Sequence, residues 1–159
     1  MKKTILLLIA LFLVSAFSFS QTLSTGKVPK PVKKTFAKDY SKAVKPLWSM
    51  SDGNYKVEFI FNGVKNAVTY DKSGTWQKKE MTVSGPKVPK EIKATLTKEL
   101  PGFRTTESIQ ITTPDNVIQY HLSVMKGKEA YEVYFSPAGE ILKKEPKPEN
   151  KPAETKKKK

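Results

Sequence analysis

Cysteine is absent from the 159-residue chain, and histidine occurs once, at His121. The first absence excludes disulfides, so the fold must be held by apolar burial, hydrogen bonds and ion pairs alone. Together the two exclude metal sites of the usual Cys/His spacing. No Gly-rich phosphate loop is present, and no resident cofactor is expected. Acidic side chains are few beside basic ones: 15 Asp and Glu face 29 Lys and Arg, a formal charge of +14. Long apolar runs are missing except at Thr4 to Phe17, which is shorter than the roughly 20 residues that span a bilayer.

That run follows Met1-Lys2-Lys3 and precedes Ser18-Phe19-Ser20, the grammar of a signal peptide over residues 1–20. Cleavage before Gln21 or after Ser18 fits equally well. With no cysteine after the run, a lipid-modified N-terminus is not available. The expected product is exported, periplasmic or secreted, without a transmembrane span, and monomeric. Residues 21–27 read as a linker, and residues 146–159 as a disordered tail rich in Lys, Pro and Glu.

What is present is a repeat. Val28-Pro29-Lys30-Pro31-Val32-Lys33-Lys34-Thr35-Phe36 returns sixty residues later as Val88-Pro89-Lys90-Glu91-Ile92-Lys93-Ala94-Thr95-Leu96. Two units over 28–85 and 86–145 follow, each too small to hold a comfortable core by itself, so they should pack together. Val28, Val32, Phe36 and Tyr40, and again Val88, Ile92, Leu96 and Leu100, recur every fourth residue and predict two amphipathic helices. Pro29 and Pro89 suit a helix first turn.

The period then falls to two. Tyr55, Val57, Phe59 and Phe61 alternate with Lys56, Glu58 and Ile60, as do Ile118, Tyr120, Leu122 and Val124 with Gln119, His121 and Ser123. Asn62-Gly63 and Lys126-Gly127 turn each run into a hairpin, with the second loop expected to be one residue longer. Weaker strands are expected at 47–50 and 108–112, and closing strands at 75–83 and 140–144. The predicted class is α+β: two tandem helix-plus-antiparallel-sheet repeats of about four strands each, the helices packed on one sheet face. The predicted cores are Val32, Phe36, Tyr40, Tyr55, Val57, Phe59, Val68 and Tyr70, and Ile92, Leu96, Leu100, Tyr120, Leu122, Val124, Val133 and Phe135.

A helix opening Val-Pro, a Tyr/Val/Phe strand, an Asn-Gly turn and the closing Asp71-Lys72-Ser73-Gly74-Thr75-Trp76 together resemble the PepSY-like, beta-lactamase-inhibitor-protein-like (BLIP-like) family of small secreted bacterial proteins. The resemblance spans Val28 to about Glu145. In the second copy Ser136-Pro137-Ala138-Gly139 lacks both the Asp and the Trp. The resemblance implies a sheet whose uncovered outer face can receive a partner, and a role in restraining peptidases or binding envelope components, not any particular target.

Residue by residue, catalysis finds little support. His121 could serve as base to Ser123, with Asp115 near in sequence, but strand neighbours on one face point in parallel and no nucleophile turn exists. Asp71-Lys72-Ser73-Gly74 carries oxygen donors yet lacks the carboxylate series of a calcium loop, so an Asx turn is expected. Trp48 and Trp76 either seal the core or face a partner. The strand parity places Lys56, Glu58, Thr69, Gln119, His121, Ser123, Glu132 and Tyr134 on the outer face, the candidate binding surface of a non-enzymatic module that engages a protein or an anionic envelope component. Nucleic acid is not an expected partner. The alternative is a structural or adhesive envelope protein held electrostatically by Lys156, Lys157, Lys158 and Lys159.

Overall fold

The computed structural model describes residues 21–147. The signal segment expected over 1–20 and the four tail lysines Lys156, Lys157, Lys158 and Lys159 lie outside the described residues.

Both expected helices form, α1 at Lys30–Asp39 and α2 at Lys90–Glu99. Pro29 and Pro89 stand just before them as N-caps, one position earlier than a first-turn proline, and a single 3₁₀ turn precedes each. Tyr40 and Leu100 close the helices through backbone bonds to Phe36 and Leu96. Nine strands follow the chain: β1 Gln21–Leu23, β2 Val44–Ser51, β3 Asn54–Phe61, β4 Val64–Tyr70, β5 Trp76–Thr82, β6 Arg104–Thr112, β7 Ile118–Lys126, β8 Glu129–Phe135 and β9 Ile141–Pro146.

These make one nine-stranded antiparallel sheet in sequential order, where two tandem helix-plus-sheet repeats of about four strands each were expected. The cause is β5. Its pairs from Asn66↔Met81 to Tyr70↔Trp76 complete the first half, while Lys79↔Thr112 to Thr82↔Ile109 begin the second.

Three further boundaries move. Residues 21–27 are not a linker: Gln21–Leu23 pairs with Trp48–Met50, and Thr25–Lys27 is the 3₁₀ turn. Gln21-Thr22-Leu23 stands sixty residues before Met81-Thr82-Val83, whose backbone also pairs with the next strand. The tail does not begin at Pro146, because Pro146 pairs with Tyr131 and the Lys147 N–H donates to Ala130 at 2.9 Å. The two hairpin loops are equal in length, since β7 continues through Lys126 and pairs it with Glu129. The extra residues lie instead between β6 and β7, at 113–117, where the first half has only Asp52 and Gly53.

Register decides the layers. Val68, Lys79, Thr112 and Ile118 are successive cross-strand partners, and Ile118 shares its face with Tyr120, Leu122 and Val124 by the two-residue period. Val57 and Val68 under α1 therefore face the same way as Leu122 and Val133 under α2. Both helices cover one side, and the other side is bare.

The core has two clusters. Val28, Val32, Phe36, Trp48, Val57, Phe59, Val68 and Tyr70 are buried in the first, and Val83, Val88, Ile92, Leu100, Leu122, Val124, Val133 and Phe135 in the second. Of the expected core residues, Tyr40, Tyr55, Leu96 and Tyr120 are only partly buried, at the margins.

Each helix is also pinned by a turn. A Cβ on Gly74 would come within 2.9 Å of the Pro31 backbone, and one on Gly139 within 2.7 Å of the Glu91 backbone, with φ of +88 and +85. Only glycine fits both the conformation and the approach. Thr95 Oγ1 adds a bond to the Gly139 carbonyl at 2.8 Å.

Candidate functional site

The bare face carries all eight residues expected there. Lys56 and Glu58 on β3, Thr69 on β4, Gln119, His121 and Ser123 on β7, and Glu132 and Tyr134 on β8 have the parity opposite to the core positions. They do not form one site. The sheet distributes them between two ionic networks, one in each half.

The first network centres on Glu80 of β5, which accepts Lys56 at 3.1 Å and Lys78 at 3.0 Å. Glu58 pairs with Lys56 at 3.7 Å and with Lys65 at 3.4 Å. Burial pushes the Glu80 pKa up, but the charges of Lys78 and Lys56 outweigh it and hold the carboxyl below its ordinary value.

The second network centres on Glu132. One carboxylate oxygen takes the Ser123 hydroxyl at 2.6 Å and contacts His121 Nε2 at 2.6 Å; the other accepts Lys147 at 2.9 Å. Lys147 also donates to Ser123 Oγ at 3.2 Å. Here too burial acts upward, and the bonds from Ser123 and Lys147 with the charge of His121 prevail, so Glu132 sits below its usual value. The His121 ring stacks on Tyr134 with centroids 4.4 Å apart and planes 10° apart. Burial, then the carboxylates Glu145, Glu132 and Glu80, raise the Tyr134 hydroxyl pKa.

This geometry does not make Ser123 a nucleophile with His121 as base. Ser123 is buried, and its proton is directed at a carboxylate that the imidazole also contacts. Asp115 lies in the β6–β7 connection, bonded by the Thr113 hydroxyl. Thr69 and Ser123 are both buried, so neither can contact a partner directly. Ser123 instead bonds the Glu132 carboxylate at 2.6 Å. Among the described residues no group of three His, Asp or Glu side chains is placed to hold a metal ion.

Several apolar residues of this face are not among the expected binding residues. Leu47, Ile60, Ile109 and Ile111 have outward parity, through the pairs Leu47↔Glu58, Ile109↔His121 and Ile111↔Gln119 and the alternation of β3. Leu47 is 55% and Ile60 36% exposed. Ile109 and Ile111 sit on β6, near the middle of the sheet, beside a depression of about 200 Å³ lined by Lys56, Glu58, Glu80, Glu107 and Ile109. The alternation Glu107-Ser108-Ile109-Gln110-Ile111 carried a signal, but which parity faces out could not be told without knowing that β6 joins β5.

The two tryptophans divide. Trp48 is core, edge-on to Phe36 at 5.3 Å, whereas Trp76 is half-buried beneath Lys79 Nζ at 4.3 Å. The Asp71 turn is an Asx turn: Oδ1 accepts the N–H of Ser73 at 2.8 Å and of Thr75 at 3.0 Å, and the Ser73 hydroxyl at 2.6 Å. That hydroxyl bond, ahead of the backbone bonds, holds Asp71 below its ordinary pKa.

A family model described as "Putative beta-lactamase-inhibitor-like, PepSY-like" matches residues 53–143. Among solved structures, a "putative periplasmic" protein of Bacteroides eggerthii superposes with a TM-score of 0.71 at 21% identity, covering 75% of this chain and 88% of its own. A DUF2874-family protein of Bacteroides uniformis gives 0.70 at 21% identity, covering 74% and 88%. A BLIP-like protein of Bacteroides fragilis gives 0.63 at 16% identity, covering 74% and 86%. At these identities the likeness speaks for the fold. No protein of curated function matches the sequence. No helix among the described residues is long and apolar enough to cross a membrane.

Proposed function

The chain belongs to the PepSY-like, beta-lactamase-inhibitor-like family, and from that premise we propose that it is an exported, non-enzymatic binding or inhibitory module whose bare sheet face engages a protein partner. The observation that carries this reading is the composition of that face. A face built only for water would alternate polar residues throughout. This one interleaves Leu47, Ile60, Ile109, Ile111 and the Tyr134–His121 stack with carboxylates whose lysine partners are already in place. Apolar and aromatic anchors among prearranged polar groups are what protein interfaces use, because little ordering remains to be done on binding.

The same reading accounts for the repeat as a duplicated unit. The outer positions of the two copies differ in chemistry: Lys56 corresponds to His121, Glu58 to Ser123, Ala67 to Glu132 and Thr69 to Tyr134, each sixty-five residues on.

The test is affinity capture from an envelope extract with the chain from Gln21 onward, comparing wild type with Ile109→Glu and with Tyr134→Ala. Both variants should fold, by circular dichroism, and both should lose the same captured protein. Retention of every captured protein by both would exclude this face.

A further inference from the structure

The charge of the molecule is not where the outer face is. Residues 21–147 hold 22 basic and 13 acidic side chains, an excess of nine. The two helix-bearing segments that lie between strands, 24–43 and 84–103, hold 10 basic and 3 acidic, an excess of seven. The sheet strands and turns hold twelve against ten, so seven of the nine surplus charges lie in the helical layer. Both helices cover the same side of the sheet, so this surplus forms one broad face opposite the candidate binding surface.

The lysines of that layer repeat where the outer face does not. Lys27, Lys30, Lys33 and Lys38 have counterparts Lys87, Lys90, Lys93 and Lys98 at an offset of sixty. Lys33 and Lys93 reach back to carbonyls of their 3₁₀ turns, at Thr25 and Pro86. Lys27, Lys30, Lys38, Lys87 and Lys90 are exposed, and no ion pair engages them among the described residues. Lys30, Lys34 and Lys38 fall at successive four-residue steps, opposite the buried Val32 and Phe36. Balanced pairing on one face and unpaired like charge on the other is a costly arrangement unless something neutralises it.

We propose that the helical layer docks electrostatically on an anionic lipid bilayer surface and leaves the bare sheet face directed away from the membrane. The choice of a bilayer over a single polyanion strand rests on geometry. The array is two-dimensional, with one line of lysines on each of two helices, and a linear chain following one helix would leave the other uncompensated. No large apolar residue interrupts the exposed lines, so the chain would adsorb rather than insert, and binding would be reversed by salt. This inference concerns the opposite side of the molecule from the proposed partner surface and does not depend on it.

The experiment is co-sedimentation of the chain from Gln21 to Lys159 with vesicles of phosphatidylcholine alone or mixed with phosphatidylglycerol, at low and high salt. Wild type should bind only the mixed vesicles, and only at low salt. The Lys27→Gln, Lys30→Gln, Lys87→Gln, Lys90→Gln variant should lose about tenfold or more in affinity. A control with the same change in charge outside the helical layer, Lys65→Gln, Lys72→Gln, Lys78→Gln, Lys128→Gln, should lose far less. Equal losses in the two would reduce the effect to net charge and overturn the proposal. So would retention by the helix variant with loss on replacing Lys156, Lys157, Lys158 and Lys159 by Gln, which would assign anchoring to the tail. Binding of soluble inorganic polyphosphate without binding to mixed vesicles would also overturn it, in favour of a linear polyanion.

Discussion

The two halves solve one packing problem with different side chains. In the first, Phe36, Tyr40, Trp48, Phe59 and Phe61 form a chain of tilted and edge-on aromatic contacts, with centroids 4.7 to 6.5 Å apart. Their counterparts in the second half are Leu96, Leu100, Ser108, Val124 and Lys126. Volume lost there returns elsewhere: Ala43 and Asn66 correspond to Phe103 and Tyr131, whose rings meet at 5.6 Å. The aromatic mass has moved from the helix and the third strand to the helix exit and the eighth. Lys126 and Lys144 then lie over those rings, at 5.8 and 4.3 Å. What must be kept is the filled space beneath each helix; which element fills it is free to change.

This contrast can be tested first where it is largest. Phe36→Ala should cost about 3–5 kcal/mol, whereas Leu96→Ala, at a position only partly buried, should fall at or below the low end of the about 2–5 kcal/mol range for leucine. Denaturant titration of each variant measures the difference, and equal costs would show that the halves do not divide the core this way.

The glycine pins come next, and here the halves should behave alike. Gly74→Ala and Gly139→Ala should each destabilise by about 2–4 kcal/mol, from the left-handed strain together with displacement of the helix backbone. If Gly139→Ala were tolerated, α2 would not be held by its turn.

A pH comparison separates the two closing turns. Ser136 stands where the first half has Asp71, and its hydroxyl accepts the Glu140 N–H at 3.2 Å. Asp71 is depressed in the folded state, so its contribution is present above the unfolded carboxylate pKa and is lost as pH falls through the lower folded value. Asp71→Ser should therefore lower the thermal midpoint at neutral pH and match wild type in strong acid. A gap that persists in acid would mean the effect is not electrostatic.

The smallest expected effect has the opposite sign. The Tyr70 hydroxyl is buried without a side-chain or backbone partner, and its counterpart is Phe135. Tyr70→Phe should be neutral or stabilising by up to about 1 kcal/mol in the same titration, since it removes a desolvated hydroxyl. A clear loss would mean that the hydroxyl is satisfied in solution.

The halves also show what a sequence can and cannot convey. Helices and hairpins were legible because their apolar periods, four and then two, are local. β1 was not, for three residues carry no period, and β2 was read only in its second part because Lys45, Pro46 and the register shift between Val44 and Leu47 break its alternation. That the halves share one sheet depends on β5 pairing on both edges, which no local pattern encodes. Strand parity set His121, Glu132 and Tyr134 on the outer face, where the sheet register also has them. It missed Glu80, whose partner Lys56 lies two strands away, and Lys147, which falls in the segment read as tail, and it could not see that Thr69 and Ser123 are shielded.

The central claim is that the bare face and the lysine face are separate surfaces with separate partners. Its most direct test is envelope capture with two variants side by side, Ile109→Glu on the sheet and Lys27→Gln, Lys30→Gln, Lys87→Gln, Lys90→Gln on the helices. The account predicts that the sheet variant loses the captured protein while the helix variant retains it at wild-type yield. Loss by the helix variant with retention by the sheet variant would contradict it.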